Sequence, residues 1–258
     1  MNKKLICMDL DGTIIDHIQN IVPSSTKKAI RKLQDNGHIV AIATGRPPSL
    51  FYGIEKTLNI DTYIASNGRY VVSKGQELLH DYIDKDVVER FINDMEQRGL
   101  DVGFETRHDY VVHSKNTTLV DDFSNHFHLH SPTVEKNYHK VNDVLQMILF
   151  TDNHNIKDIE QKYPELDFNV SCRYGIDINA QGGMKEIGID VLQKHFDIPN
   201  EDIIAIGDGY NDIGMILRAH IGIAMGNACQ PLKEAADYVT DSAQEDGIQN
   251  ILKKLNII

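Results

Sequence analysis

The 258-residue chain reads as an α/β protein: a Rossmann-like parallel-sheet core domain with an α+β domain inserted into it. Three observations predict this. Near both ends of the chain, short and nearly all-apolar runs alternate with amphipathic stretches, the rhythm of parallel strands covered by helices. Over residues 84–182 that rhythm gives way to short strands of a mixed or antiparallel sheet with interspersed helices. Several of the apolar runs end in small and acidic residues, at the edge where open parallel sheets hold ligands. The core is therefore expected over 1–83 and 183–258, and the insert over 84–182.

The elements follow in order. Lys3 to Met8 is a short, mostly apolar run that reads as a buried strand, broken by a turn at Gly12. Pro23 to Thr26 offers helix-start chemistry, Ala29, Ile30 and Leu33 form an apolar face, and Gly37 is a stop. His38 to Ala43 is a second buried strand, ending in Thr44-Gly45-Arg46. Leu50, Ile54 and Leu58, at helical spacing, predict one helix over 48–58. Thr62 to Ser66 is a third strand that runs into Asn67-Gly68, and a hairpin follows around Ser73 to Gly75.

In the insert, Asp84 to Asp86 opens an amphipathic helix that closes at Gly99. Strands are expected at 101–106, 110–113, 144–150 and 168–179. The parallel rhythm resumes after Gly182-Gly183 with a helix over 184–195. A strand over 202–206 then ends in Gly207-Asp208-Gly209-Tyr210-Asn211-Asp212. A helix over 212–218, a strand over 221–224 and a last helix from about 246 complete the chain.

Composition narrows the function. A formal net charge of −12 argues against a nucleic-acid backbone or an anionic membrane as main partner. No apolar run is long enough to span a bilayer, and no secretory signal precedes Asp9. Cys7, Cys172 and Cys229 have no metal or redox spacing, as expected of free thiols in a reducing cytoplasm.

Asp9 and Asp11 sit two residues apart at the end of the first strand. Such a pair can divide labour, one carboxylate attacking a phosphorus and the other moving protons, with a divalent cation between them. An ordinary Asp-Gly turn is the plainer alternative. The rest of the chain favours chemistry, because Thr44-Gly45 and Asp208-Gly209 also follow predicted strands and would gather on the same edge. Three carboxylates beside a phosphate call for a cation, since two unit charges about 4 Å apart repel by about 4 kcal/mol at an effective dielectric of about 20. Mg²⁺ suits carboxylates, waters and a phosphate. Thr44 and Gly45 offer a hydroxyl and a backbone N–H to phosphate, Lys185 a second cation, and Asn211 an amide.

Other residues stay open at this point. Asp212 could orient Lys185 or a metal-bound water, or cap a helix. Arg46 could meet ligand or form a structural ion pair. Gly209, Asn67 and Gly68 could border the substrate or serve as turns. His126, His128 and His130 would share one face of a strand, a metal site or ordinary histidines.

Taken together these motifs resemble the haloacid dehalogenase-like phosphohydrolases, specifically Cof-type members with a type IIB cap, over the whole chain. Asp9-Leu10-Asp11-Gly12-Thr13, Ala43-Thr44-Gly45-Arg46, Lys185 and Gly207-Asp208-Gly209-Tyr210-Asn211-Asp212 match the four family motifs. Ser66-Asn67-Gly68 and Asp237 to Asp241 match the subgroup. The resemblance implies that Asp9 is the nucleophile and Asp11 the general acid and base. It implies Mg²⁺ on the Asp9 side chain, the Asp11 backbone carbonyl and Asp208. Phosphate would be held by Asp9, the Leu10 backbone, Thr44, Gly45, Lys185 and Asn211, and the insert would be the cap. Glu186 departs from the pattern, since the family often has Gly after the third-motif lysine. The expected function is a Mg²⁺-dependent phosphatase of a small phosphorylated metabolite, a sugar phosphate or similar monoester, acting through a phosphoaspartyl intermediate. A non-catalytic phosphometabolite-binding regulator or a phosphoaspartate signalling module are the alternatives.

Overall fold

A computed structural model describes residues 2–182 and 184–258. Gly183, at the expected boundary between insert and core, and Met1 lie outside the described residues. The first strand is β1 (Leu5–Met8), followed by α1 (Ser24–Asp35), β2 (Ile39–Ala43), α2 (Ile54–Thr57), β3 (Thr62–Ala65), β4 (Tyr70–Ser73) and β5 (Gln76–His80). Next come α3 (Lys85–Gln97), β6 (Asp101–Glu105), β7 (Tyr110–Val112), α4 (Leu119–His126), β8 (Thr133–Val134) and α5 (Tyr138–Val141). They are followed by β9 (Gln146–Phe150), α6 (Lys157–Lys162), β10 (Leu166–Cys172) and β11 (Gly175–Ala180). The chain ends with α7 (Lys185–Phe196), β12 (Ile203–Gly207), α8 (Ile213–Arg218), β13 (Ile221–Ala224), α9 (Gln230–Ala235), β14 (Tyr238–Val239) and α10 (Gly247–Lys254).

These elements divide between two compact units. One holds the chain up to Gly45, Gly53–Leu79 and the stretch that ends at Ile258. The other holds Arg46–Tyr52 and His80–Gly182. The first is built on a sheet of order β14-β13-β12-β1-β2-β3-β4-β5, parallel from β14 through β3 and antiparallel between β3 and β4.

Strand alternation explains why its central strands are apolar throughout. Ile6, Met8, Val40, Ile42, Ile204 and Ile206 pack on one face with residues of α1 and α10. Leu5, Cys7, Ile39, Ala41, Ile203 and Ala205 pack on the other with residues of α7, α8 and α9. Both faces are buried, so polar residues can appear only at the strand ends.

The second unit carries a sheet of order β10-β11-β9-β6-β7-β8. On one face Phe104, Met147, Leu149, Ile176 and Ile178 pack with Phe91, Ile92 and Met95 of α3. Asp84 caps α3, its carboxylate accepting from the backbone N–H of Asp86 and Val87. No helix of the described residues is long and apolar enough to cross a membrane.

Three expectations change. The strand over 168–179 is two, β10 and β11, paired antiparallel across a turn at Arg173 and Tyr174. The helix over 48–58 is a 3₁₀ turn at Pro48–Leu50 and the single turn of α2. Tyr52 and Gly53, at φ 51° and 78°, break it, because left-handed residues cannot continue a right-handed helix. The alternating histidines share no strand: His126 ends α4, and His128 is left-handed at φ 54°. His130 Nδ1 instead lies 2.8 Å from the Tyr52 hydroxyl.

Candidate active site

Every site residue proposed on the first unit lies at the carboxyl end of a strand or the start of α7. Asp9 follows β1, and its backbone N–H donates to Ile206 O at 2.9 Å, which ties it to β12. Thr44 follows β2 and donates from its backbone to Ile64 O at 2.8 Å. Asp208 follows β12, and Lys185 opens α7. Residues far apart in sequence thus share one edge, as parallel topology requires.

Lys185 organises the centre. It is fully buried, and its ammonium donates to Asp9 Oδ1 and Asp212 Oδ1, each at 2.6 Å. Burial opposes the Lys185 charge, but Asp212 and Asp9 overcome it and raise its pKa. Asp212 is itself held in place, because its Oδ2 accepts from the backbone N–H of Asp208 and Gly209, both at 2.9 Å. The Asp9 carboxyl is pushed well above its ordinary range by burial and then by Asp212, while Lys185 pulls it down. Asp208 is pushed up to about 7 by burial and by Asp212, against the hydroxyl donated by Thr13.

One carboxylate oxygen from each of Asp9, Asp208 and Asp212 lies within 4.8 Å of the others, a grouping able to hold a divalent cation. The donor set fits such an ion. Asp212, Asp208 and Asp11 push the Asp9 pKa up, Asp212 and Asp11 push that of Asp208 up, and the Lys185 ammonium lowers both.

Glu186 does not compete for this role. A β-carbon placed on Gly214 would lie 2.2 Å from Glu186 Oε2, so the Glu186 carboxylate lies over α8 while Lys185 meets Asp9 and Asp212.

Two glycines are dictated by the loops. Gly12 has φ +83°, and a β-carbon there would stand 2.1 Å from Asp208 Oδ2. After β3, Ser66, Asn67 and Gly68 are consecutively left-handed, at φ 48°, 51° and 97°. A β-carbon on Gly68 would stand 2.1 Å from Met184 O. This turn brings Asn67 to the site. Its backbone N–H donates to Thr44 O at 3.1 Å, and its Oδ1 accepts from Asn211 Nδ2 at 3.0 Å. Asn67 and Asn211, separate candidates in the sequence, form one bridge between two loops. Arg46 belongs to the second unit, where its guanidinium donates to Leu50 O at 3.0 Å.

Sequence reasoning missed two supports of Asp208. Thr13 Oγ1 donates to Asp208 Oδ1 at 3.1 Å. Asn227 Nδ2 lies 3.1 Å from Asp208 Oδ2 and 2.8 Å from Gly12 O, and its Oδ1 accepts from the backbone N–H of Ala243 at 3.2 Å. Asn227 lies just past the end of β13, the same kind of position as Asp9, Thr44 and Asp208, so the strand-end rule could have found it.

Known proteins resemble this chain over its whole length. The family model described as haloacid dehalogenase-like hydrolase matches residues 6–252. YkrA of Bacillus subtilis is 33% identical over 271 residues, with all of both chains covered. A crystal structure of a hypothetical protein from Geobacillus kaustophilus HTA426 superposes with a TM-score of 0.93 at 32% identity, with both chains covered in full. The subclass IIB sugar phosphatase BT4131 superposes at 0.88 with 32% identity, covering 99% of this chain and 100% of its own. The chain belongs to the haloacid dehalogenase-like hydrolases.

Proposed function

We propose that the protein is a Mg²⁺-dependent phosphatase of small phosphomonoesters, with Asp9 as nucleophile and Asp11 as general acid and base. One observation carries the reading. A buried ammonium stands 2.6 Å from Asp9 and from Asp212, with Asp208 in the same cluster. Lys185 favours the ionised form of Asp9 in a place where burial alone would neutralise it. The Asp9 carboxylate then attacks phosphorus in line. An acyl phosphate forms, the bond to the leaving oxygen breaks, and Asp11 gives that oxygen its proton. Asp11 next takes a proton from water, whose oxygen displaces the phosphoryl group from Asp9 and frees phosphate. Leu10, Thr44, Gly45, Lys185 and Asn211 hold the phosphoryl oxygens. Mg²⁺ on Asp9, Asp208 and the Asp11 carbonyl would neutralise the carboxylates and polarise the phosphoryl group.

The sugar phosphatase named among the structural neighbours belongs to the same reaction class, which favours a sugar phosphate or similar monoester. The three cysteines are free thiols, in keeping with a cytoplasmic enzyme.

Release of p-nitrophenol from p-nitrophenyl phosphate tests the reading. Turnover is expected with Mg²⁺ and not with EDTA. Asp9→Asn, which removes a buried charge without changing shape, should remain folded and lose at least about a thousandfold in kcat, as removal of a covalent nucleophile does elsewhere. Undiminished turnover by Asp9→Asn would defeat the mechanism.

A further inference from the structure

The face of the second unit's sheet that packs on α3 holds a buried histidine pair. His113 follows β7, and its backbone N–H donates to Val102 O of β6 at 2.8 Å. It comes two residues after Val111, so it shares the face that meets α3. His139 belongs to α5, which packs on α3. The two rings stand 6.1 Å apart, and each meets the ring of Phe104, at 6.3 Å and 5.4 Å. His113 is 6% exposed and His139 4%.

Their partners differ. His139 Nε2 lies 2.6 Å from Glu89 Oε2, a carboxylate of α3. Its Nδ1 and both nitrogens of His113 have no hydrogen-bond partner among the described residues. Glu96 of α3 is 3.9 Å from His113 Nε2, beyond hydrogen-bond reach, and its Oε1 accepts from Lys136 Nζ at 2.7 Å. Lys140 of α5 stands 3.6 Å from Glu89 Oε1. Tyr138, on the same helix, donates its hydroxyl to Asp109 at 2.5 Å, and Asp109 and Glu135 act on that hydroxyl. β6 and β7 bring Val102, Phe104 and Val111 to this face. Burial is the largest influence on His113 and lowers its pKa, with His139 and the Lys136 charge acting the same way. Glu96 and the Lys136 backbone act against them and do not prevail.

The chain that brings His139 and Lys136 to His113 is lightly held. β8 is two residues long, exposed, and lies at the edge of the sheet against β7. The backbone N–H of Glu135 continues that pairing to Val112 O at 2.8 Å. α5 is one turn of four residues. A short edge strand and a single helical turn open locally at a fraction of the cost of unfolding the sheet.

We propose that His113 is an acid-sensitive latch: the neutral ring lets the segment 133–142 close against the sheet, and a ring that has taken a proton from solvent favours the open segment, where water can solvate the charge. The sign follows from the ring's surroundings. With its folded pKa below the ordinary 6.5, His113 leaves the closed form at full strength above that value and weakens it as pH falls through it. One such group multiplies the opening equilibrium by up to about tenfold per pH unit, until the closed form takes the proton as well. The latch lies within the second unit and is independent of the phosphatase reading.

Hydrogen exchange of the full chain at pH 7.5 and 5.5, read by mass spectrometry and corrected for the intrinsic pH dependence of amide exchange, tests the latch. In the wild type the opening equilibrium over 133–142 should rise about three- to tenfold between these values. Peptides over β9, inside the same sheet, should not follow it. His113→Phe, which keeps a ring beside Phe104 and cannot take a proton, should hold the change over 133–142 under about twofold. No rise in the wild type, an equal rise over β9, or an equal rise in His113→Phe overturns the proposal. Should His113→Phe fail to fold, the wild-type ring decides. Its imidazole signal in NMR, assigned through the backbone after β7, should titrate below 6.5, and titration at or above 6.5 overturns the latch.

Discussion

Replacing Lys185 by Met should destabilise the protein in a way that grows with pH. The ammonium is fully buried and stands 2.6 Å from two buried carboxylates, so its removal leaves Asp9 and Asp212 facing each other and Asp208 without compensation. Breaking a buried ion pair from one side costs about 3–5 kcal/mol. The variant has one escape, which is to protonate Asp9. That carboxyl is already raised above its ordinary 3.8 and would rise further without Lys185.

A carboxyl whose folded pKa lies above its unfolded one favours the folded state at low pH and loses that advantage as pH rises through the folded value. Each proton held only by the folded state makes stability fall by about 1.4 kcal/mol per pH unit. Between pH 5 and pH 8 the variant loses stability faster than the wild type wherever Asp9 keeps its proton only in the variant, by about 1.4 kcal/mol per pH unit. Lys185 itself adds no slope in that window. Its pKa is raised, so its contribution is complete below the ordinary 10.5 and is lost only above it. Urea unfolding of both proteins in EDTA at pH 5, 6.5 and 8, followed by circular dichroism, gives the difference directly. A difference under about 1 kcal/mol that does not change with pH would show that Lys185 does not compensate these carboxylates.

Two further outcomes follow from the same site. Asp208, held near 7, must lose its proton to serve a cation, so Mg²⁺ affinity measured by calorimetry should fall as pH drops below 7, by up to about tenfold per unit; equal affinity at pH 5 and pH 8 would remove Asp208 from the site. Asn227→Leu cuts the contacts that join Asp208 to Gly12 O and should weaken Mg²⁺ binding by about 10–100-fold. Unaltered binding in that variant would make Asn227 a support of the loop only.

The parallel sheet was legible because its cause is local. Leu5–Met8, Ile39–Ala43 and Ile203–Gly207 are apolar on both faces, which only a strand covered on both sides tolerates. Once those strands run parallel, their ends must meet, and Asp9, Thr44 and Asp208 come together without any further information. Lys185 was legible for a related reason: it opens a helix that packs on the same sheet.

What the sequence hid depends on partners distant in the chain. Asn227 is one asparagine among many until the fold sets it against Gly12 and Asp208. The break at Tyr52 and Gly53 competes with sound helical spacing at Leu50, Ile54 and Leu58, and the left-handed backbone wins.

Asn179 shows the limit most clearly. As text it is an alternating polar position on a strand, the most ordinary feature a half-buried sheet can have. Only strand register puts it level with Gln146 and Glu105, and only burial reveals a carboxamide without a partner among the described residues. Local pattern therefore locates chemistry that folding must bring to a strand end. Buried donors and acceptors without partners become visible only when each has been followed through the fold.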